Sequence, residues 1–438
     1  MKLLHFKIEK LFDLFSYDIS LENEKGVIII TGPNGYGKTK ILNIINSFFN
    51  KKFSYFQKLI FKSIELNFTS SISIFITKKI KRNSTEITFE VFQNGILKET
   101  FIHGDKIDIN IVRDIDKYTP LRQLSEDIWV DRRTDEVFTY EEALSFLPEI
   151  ESDKYNKIFK KNFPIFNEII SKTTTHLIQE QRLLEHSSRN QRNRNHRYNE
   201  IEAETKFTIY KYANILKEFI SQSLDAYFTI TQNLDSSFPK RLLTETKKIK
   251  ETEYNSRFKK LREKQEKLRK FGVSDVAQEE TEFNEENAKV LLVYLNDAEK
   301  KLKVFDELIE RLELFTDILN ERRFTHKSIK IDKEKGFSFF TEKKQELELT
   351  DLSSGEQNEV VLLYELIFNS KPNTLILIDE PEISLHVAWQ REFLNDLLKI
   401  IELQKINVII ATHSPAIINN FGELTYSLYQ EKEELVEA

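Results

Sequence analysis

The chain has 438 residues, 31% of them charged and 40% hydrophobic, which is apolar material enough for two or three packed domains. Its net charge of −6 excludes a protein that is basic throughout, so any nucleic-acid contact must come from a local patch. Cysteine is absent, which excludes disulfides, thiolate metal sites and cysteine nucleophiles, and no stretch approaches the roughly 18 continuous apolar residues of a membrane span.

The opening "MKLLHFKIEK" is too short and too charged for a signal peptide, and a soluble cytoplasmic protein is expected. "GVIIIT" (26–31) then reads as a buried strand, and Ile41, Ile44, Ile45 and Phe48 recur at helical spacing. Between them stands Gly32-Pro33-Asn34-Gly35-Tyr36-Gly37-Lys38-Thr39, a glycine-rich loop with the spacing of a phosphate-binding loop. Its glycines let backbone N–H groups turn toward phosphate oxygens, helped by the positive end of the helix dipole. Lys38 is placed to reach the β- and γ-phosphates of ATP, and the Thr39 hydroxyl to ligate Mg²⁺.

Residues 64–102 alternate like antiparallel strands joined by polar turns. Residues 104–170 mix acidic loops with short helical patterns, and no chemistry is assigned there, although "WVDRRTDE" is dense in charge. "THLIQEQRLL" reads as a strand running into Gln179, Glu180, Gln181 and Arg182. In "RNQRNRNHR", Arg189, Arg192, Arg194 and Arg197 sit among asparagines. The run reads first as a solvated loop, with phosphate contact to nucleic acid as the competing reading.

Helices dominate next. The basic stretch 241–270 lacks Gly and Pro and reads as one long helix that Gly272 breaks, followed by an acidic segment, a hairpin tip or a charge partner. From Leu291 the series Leu295, Ala298, Leu302, Phe305, Ile309, Leu312 and Leu319 steps by four and three, interrupted at Thr316, which is a coiled-coil stripe. An arm of roughly 40 Å is expected at 1.5 Å per residue.

"LSSGEQ" begins at Leu352, where Ser353 caps a helix and Glu356 closes a capping box. "TLILIDEPE" reads as a central parallel strand ending in Asp379-Glu380, at the kind of sheet edge where α/β ligand sites lie. Asp379 is placed to hold Mg²⁺ and Glu380 to act as general base on an attacking water. "NVIIATHS" supplies another buried strand, and His413 just past it is placed to hydrogen-bond the γ-phosphate.

The ordered set GPNGYGKT, LSSGEQ, ILIDEPE and THS resembles the ABC-type ATPase heads of the SMC, RecF and OLD families. The resemblance implies an α/β fold, an ABC-type P-loop head with a mixed sheet plus an antiparallel β layer and an inserted α-helical coiled-coil arm. It implies a head in two lobes, 1–182 and 329–438, with the helical insertion at 183–328. Ser353 and Gly355 then belong to the signature motif and bind the γ-phosphate held by a second copy, giving a homodimer or higher homo-oligomer through ATP-sandwiched heads. A glutamine before the arm ligates Mg²⁺ in such heads; Gln181 is the choice here and Gln179 the reserve. Ser354 stands where many members have glycine, and "EPEISLH" looks like the OLD type, leaving the role of His386 open.

Transporter ATPases place the signature far closer to the phosphate loop, whereas Ser353 stands more than 300 positions after Lys38. The Toprim nuclease of OLD proteins is expected to be absent, with about twenty-five residues following His413. "GPNGYGKT", "LIQEQRLL" and "IDEPEISLHVAWQ" look like the ATPase subunits of anti-phage systems such as PARIS and Septu. That resemblance implies an ATP-dependent sensor controlling a separate effector, a nuclease or toxin. The alternative is a RecF-like repair ATPase that binds DNA directly.

Overall fold

The computed structural model of the chain describes residues 1–81, 84–103, 109–125, 128–133, 137–139, 143, 161–179, 197–274, 282–324 and 326–429. Two compact units divide it: Met1–Arg182 with His186–Arg197 and Ser370–Ala438 form one, Leu183–Glu185 with Tyr198–Asn369 the other.

In the first unit, β1 (Leu3–Leu11), β2 (Phe15–Ser20), β4 (Ser63–Phe68), β5 (Ile72–Lys81), β6 (Ser84–Gln93) and β7 (Ile96–His103) form an antiparallel sheet in the order β2-β1-β4-β5-β6-β7. The alternation read over 64–102 is this layer. A smaller antiparallel sheet joins β8 (Leu121–Ser125), β9 (Ile128–Asp131) and β10 (Val137–Thr139).

A second sheet is parallel throughout. It orders β11 (Thr175–Ile178), β15 (Leu375–Asp379), β16 (Asn407–Ala411), β3 (Val27–Thr31) and β17 (Thr425–Ser427) as β11-β15-β16-β3-β17. Every residue of β15 is buried, as a strand covered on both faces requires. Helix α1 (Lys38–Phe49) lays Ile41, Leu42, Ile44, Ile45, Phe48 and Phe49 into the core. There Phe48, Phe53, Phe89 and Phe101 crowd around the fully buried Phe166, with ring centroids 5.6 to 5.9 Å from it. The chain is therefore a mixed α/β protein with a parallel sheet, antiparallel layers and a long helical region.

The second unit holds α2 (Arg197–Thr244), α3 (Glu251–Lys270), α4 (Ala288–Leu302), α5 (Asp306–Ile318), α6 (Ser354–Phe368) and a three-stranded antiparallel sheet of β12 (Lys327–Asp332), β13 (Gly336–Thr341) and β14 (Glu346–Leu347). The coiled-coil stripe is buried at every position, from Leu291 to Leu319, and Thr316 is buried with it. Thr316 fits because its hydroxyl donates to the Leu312 carbonyl one turn back, at 2.8 Å. The stripe faces α2, which runs antiparallel to it: Arg241 pairs with Asp297, Lys301 with Asp235 at 2.8 Å, and Tyr227 packs 5.4 Å from Phe305.

Two expectations change here. The stretch 241–270 is two helices, because Glu245 Oε1 accepts the N–H groups of Thr246 and Lys247 at 2.9 Å and stops α2. Ile249 is buried, and its N–H donates to the Ala288 carbonyl at 3.4 Å, which holds the break open. Next, α3 runs parallel to α4 and α5, since Arg257 pairs with Glu299, Lys264 with Asp306 and Lys267 with Glu313. These helices are not the two limbs of a hairpin. Helix α2 itself has 48 residues, about 70 Å of helix at 1.5 Å per residue.

Candidate functional site

The phosphate-loop residues lie between β3 and α1. Gly35 and Gly37 take φ of 90° and 89°, a left-handed backbone that L side chains rarely adopt. A Cβ on Gly37 would also stand 2.9 Å from Leu11 Cδ2, so the end of the Leu11 side chain would have to shift to admit one. Helix α1 starts at Gly37 without a side-chain cap, leaving its first N–H groups to face the loop. Lys38 is buried, and its Nζ donates to the carbonyls of Gly32 at 2.8 Å and Pro33 at 3.3 Å. Pro33 and Asn34 are exposed at the tip of the loop.

Tyr36 is pinned from behind. Tyr17 Oη donates to its carbonyl at 2.8 Å, and the Phe15 ring lies 5.1 Å from the Tyr36 ring. Burial pushes the Tyr17 phenol up to about 12, so it stays a donor across the working pH range. Nothing in the loop motif itself pointed to Tyr17.

Three parallel strands end level at one edge. Asp379 pairs with Ala411, and Ala411 with Ile30, while the Thr412 N–H donates to the Ile30 carbonyl at 3.1 Å. Thr39 Oγ1 donates to Asp379 Oδ1 at 3.1 Å, a contact between residues 340 positions apart. Glu380 follows with φ 43° and ψ 59°, and its N–H donates to the Ala411 carbonyl at 2.8 Å. A left-handed step of this kind is uncommon at a non-glycine residue. His413 Nδ1 lies 3.6 Å from Glu380 Oε1 and 3.1 Å from Glu382 Oε1.

Lys38, Thr39, Asp379, Glu380 and His413 are therefore gathered within one unit, from the two ends of the chain. Glu382 is a site neighbour that the motif reading passed over. Its only trace in the sequence is a second acid two positions after Glu380. His386 caps the helix Val387–Gln404, its Nδ1 accepting the Ala388 N–H at 3.3 Å.

Ser353 and Gly355 belong to the second unit, at the start of α6. The capping box is formed: Ser353 Oγ accepts the Glu356 N–H at 3.3 Å, and the Ser353 N–H donates to Glu356 Oε2 at 2.7 Å. Lys327 of β12 donates to both Glu356 oxygens, at 2.9 and 2.8 Å. Burial acts to raise the Glu356 pKa, but the bonds from Lys327 and Ser353 outweigh it and hold the carboxyl below its ordinary value. Gln179 is exposed just past β11. Gln181 and the arginines at 189, 192 and 194 lie outside the described residues, as does the side chain of Arg197.

The Thr39 and Asp379 oxygens fit a shared magnesium ion. Oxygens about 2.1 Å from an octahedral Mg²⁺ stand roughly 3 Å apart at adjacent vertices, and both are the hard ligands this ion takes. Among the described residues, no helix is long and apolar enough to cross a membrane.

A stretch of 124 residues is 32% identical to protein ea59 of Escherichia phage lambda, covering 28% of this chain and 23% of the phage protein. The chain thus spans about a quarter of the length of the curated relative it matches. Two solved structures are similar in course. One is the Smc head domain with an extended coiled coil, bound to the C-terminal domain of ScpA, from Pyrococcus furiosus, at 15% identity over 95% of this chain and 90% of that one, with TM-score 0.35. The other is the SMC head domain from Thermotoga maritima, at 11% identity over 98% and 94%, with TM-score 0.32. Scores of this size carry no structural argument. The family model described as AAA ATPase domain matches residues 1–418, and the chain belongs to that family.

Proposed function

We propose that the chain binds ATP with Mg²⁺, hydrolyses it, and uses the bound nucleotide to join two copies of itself. The observation that carries this reading is the Thr39–Asp379 contact at 3.1 Å beside a buried lysine and a glycine-rich turn. Lys38 exchanges its two carbonyl partners for β- and γ-phosphate oxygens, a charge-assisted contact stronger than the neutral ones it replaces. Thr39 and Asp379 would hold the magnesium ion, which supplies charge neutralisation on the phosphates when bound. Glu380, lifted off the strand end by its left-handed turn, takes the proton of the attacking water. His413, beside it, contacts the γ-phosphate.

Ser353 and Gly355 contribute to the site of a second copy through the exposed start of α6. Gln181 joins the magnesium ligands, with Gln179 in reserve. The lobes 1–182 and 329–438 then form the head and 183–328 the insertion. The resemblance of "GPNGYGKT", "LIQEQRLL" and "IDEPEISLHVAWQ" supports an assignment as the sensor subunit of a cytoplasmic anti-phage system that controls a separate effector. Purification with the products of neighbouring genes tests that assignment: a partner that stays bound without DNA supports it, and DNA-stimulated turnover with no bound partner contradicts it. The ATPase itself is tested by phosphate release with and without Mg²⁺. Turnover that depends on the metal and disappears in Glu380→Gln is the expected result, and Mg²⁺-independent or absent turnover contradicts it.

A further inference from the structure

Glu382 sits in the one-turn helix Pro381–Ser384 and is 7% exposed. A single oxygen, Oε1, takes three contacts: the Thr412 hydroxyl at 2.7 Å, the His413 N–H at 2.9 Å and His413 Nδ1 at 3.1 Å. The second oxygen, Oε2, is buried with no hydrogen-bond partner among the described residues. Thr412 is fully buried and in turn accepts the Ser414 N–H at 3.0 Å, while Ser414 Oγ donates to Gln390 at 2.8 Å. Gln390 closes the loop by donating to the carbonyls of Glu382 and Leu385 at 3.1 and 3.0 Å.

A neutral amide oxygen in place of Oε1 would satisfy the Thr412 and His413 backbone donors without burying a charge. Burying a carboxylate with one oxygen unfilled is costly, and turn closure alone does not require it. Among the described residues, the imidazole of His413, whose side chain is 48% exposed, lies within reach of that charge. A carboxylate oxygen 3.1 Å from Nδ1 attracts that edge of the ring and leaves the other nitrogen directed outward.

We propose that Glu382 is the positioning residue for His413: it clamps the Thr412-His413-Ser414 turn through the backbone and orients the ring through Nδ1, leaving Nε2 to meet the γ-phosphate. This rests on the ATPase reading above. Glu382 touches neither the nucleotide nor the attacking water; it acts through His413.

The test compares wild type, Glu382→Gln, His413→Ala and the double variant in the full chain. Glu382→Gln is expected to lower kcat about tenfold, the size lost when the group orienting a functional histidine is removed, with KM for ATP within about twofold. In the His413→Ala background the same change should cost less than about twofold, because coupled residues are not additive. An equal loss in both backgrounds overturns the proposal. A second arm needs no turnover: in protein labelled with ¹⁵N-histidine, the His413 Nδ1 signal, identified by its loss in His413→Ala, should shift in Glu382→Gln. An unshifted signal also overturns it. If Glu382→Gln does not fold, Thr412→Val carries the same spectroscopic comparison, since it loosens Glu382 from the strand end. A wild-type chain that hydrolyses nothing sinks the ATPase reading, while the spectrum still decides whether Glu382 holds the ring.

Discussion

At the edge of the parallel sheet, Asp379, Ala411 and Ile30 lie level because ladder hydrogen bonds between buried strands set their register. At the turn before α6, Ser353 is held by side chains, through its capping box with Glu356 and the Lys327 contact behind it. The first arrangement shares its stability with a large core. The second depends on a few partly exposed groups, each contributing about 1 kcal/mol or less. Chemistry that needs fixed distances within one unit stands on the rigid frame. The group proposed to meet a second copy stands on the lighter one, where small energies can change its setting.

The contrast is sharpest in its largest expected effect. Glu380→Gln should lower phosphate release by about 10²- to 10⁴-fold, the range supplied by a positioned general base, while a fluorescent ATP analogue still binds. Phe166→Ala should destabilise the first unit by about 3–5 kcal/mol, since it empties the centre of the phenylalanine cluster. Denaturant unfolding followed by the buried Trp129 reads that loss. Lys38→Ala should weaken ATP binding by roughly 10- to 100-fold, as expected for charge-assisted bonds worth about 1.5–3 kcal/mol, with little change in unfolding.

Smaller effects belong to the turn. Ser353→Ala should cost about 1 kcal/mol, seen as faster hydrogen exchange in the first turn of α6 and not in β15. The depressed Glu356 pKa gives that turn a pH dependence. Its contribution is fully present above the ordinary glutamate value, about 4.3, and is lost as pH falls through the lower folded value. Lys327→Met should shrink this acid-labile contribution, by 1 kcal/mol at most for a partly exposed pair. Equal protection of α6 and β15 across these variants would break the comparison.

How much was legible in the sequence follows the same division. The runs "VIIIT", "LILID" and "NVIIA" announced buried parallel strands, because continuous β-branched residues have few other uses. The capping box at Ser353 was readable because it is local. The stripe from Leu291 was readable by its period, but the partner it packs on was not: α2 and the parallel course of α3 are set by long-range pairs such as Arg241 with Asp297. The break at 245–250 was hidden because no Gly or Pro marks it, and the burial of Ile249 decides it. Glu382 was hidden for a related reason. Its role comes from Thr412 and His413, thirty positions away in sequence and adjacent in space.

In the proposed function, nucleotide joins two copies of the chain. Light scattering of Glu380→Gln with and without ATP and Mg²⁺ tests it most directly, because this variant should bind ATP and not release it. The mass should double from the 52.0 kDa of one chain on adding ATP, and Ser353→Arg in the same background should abolish the doubling. A mass that stays the same with ATP bound, or a doubling that survives Ser353→Arg, would contradict it.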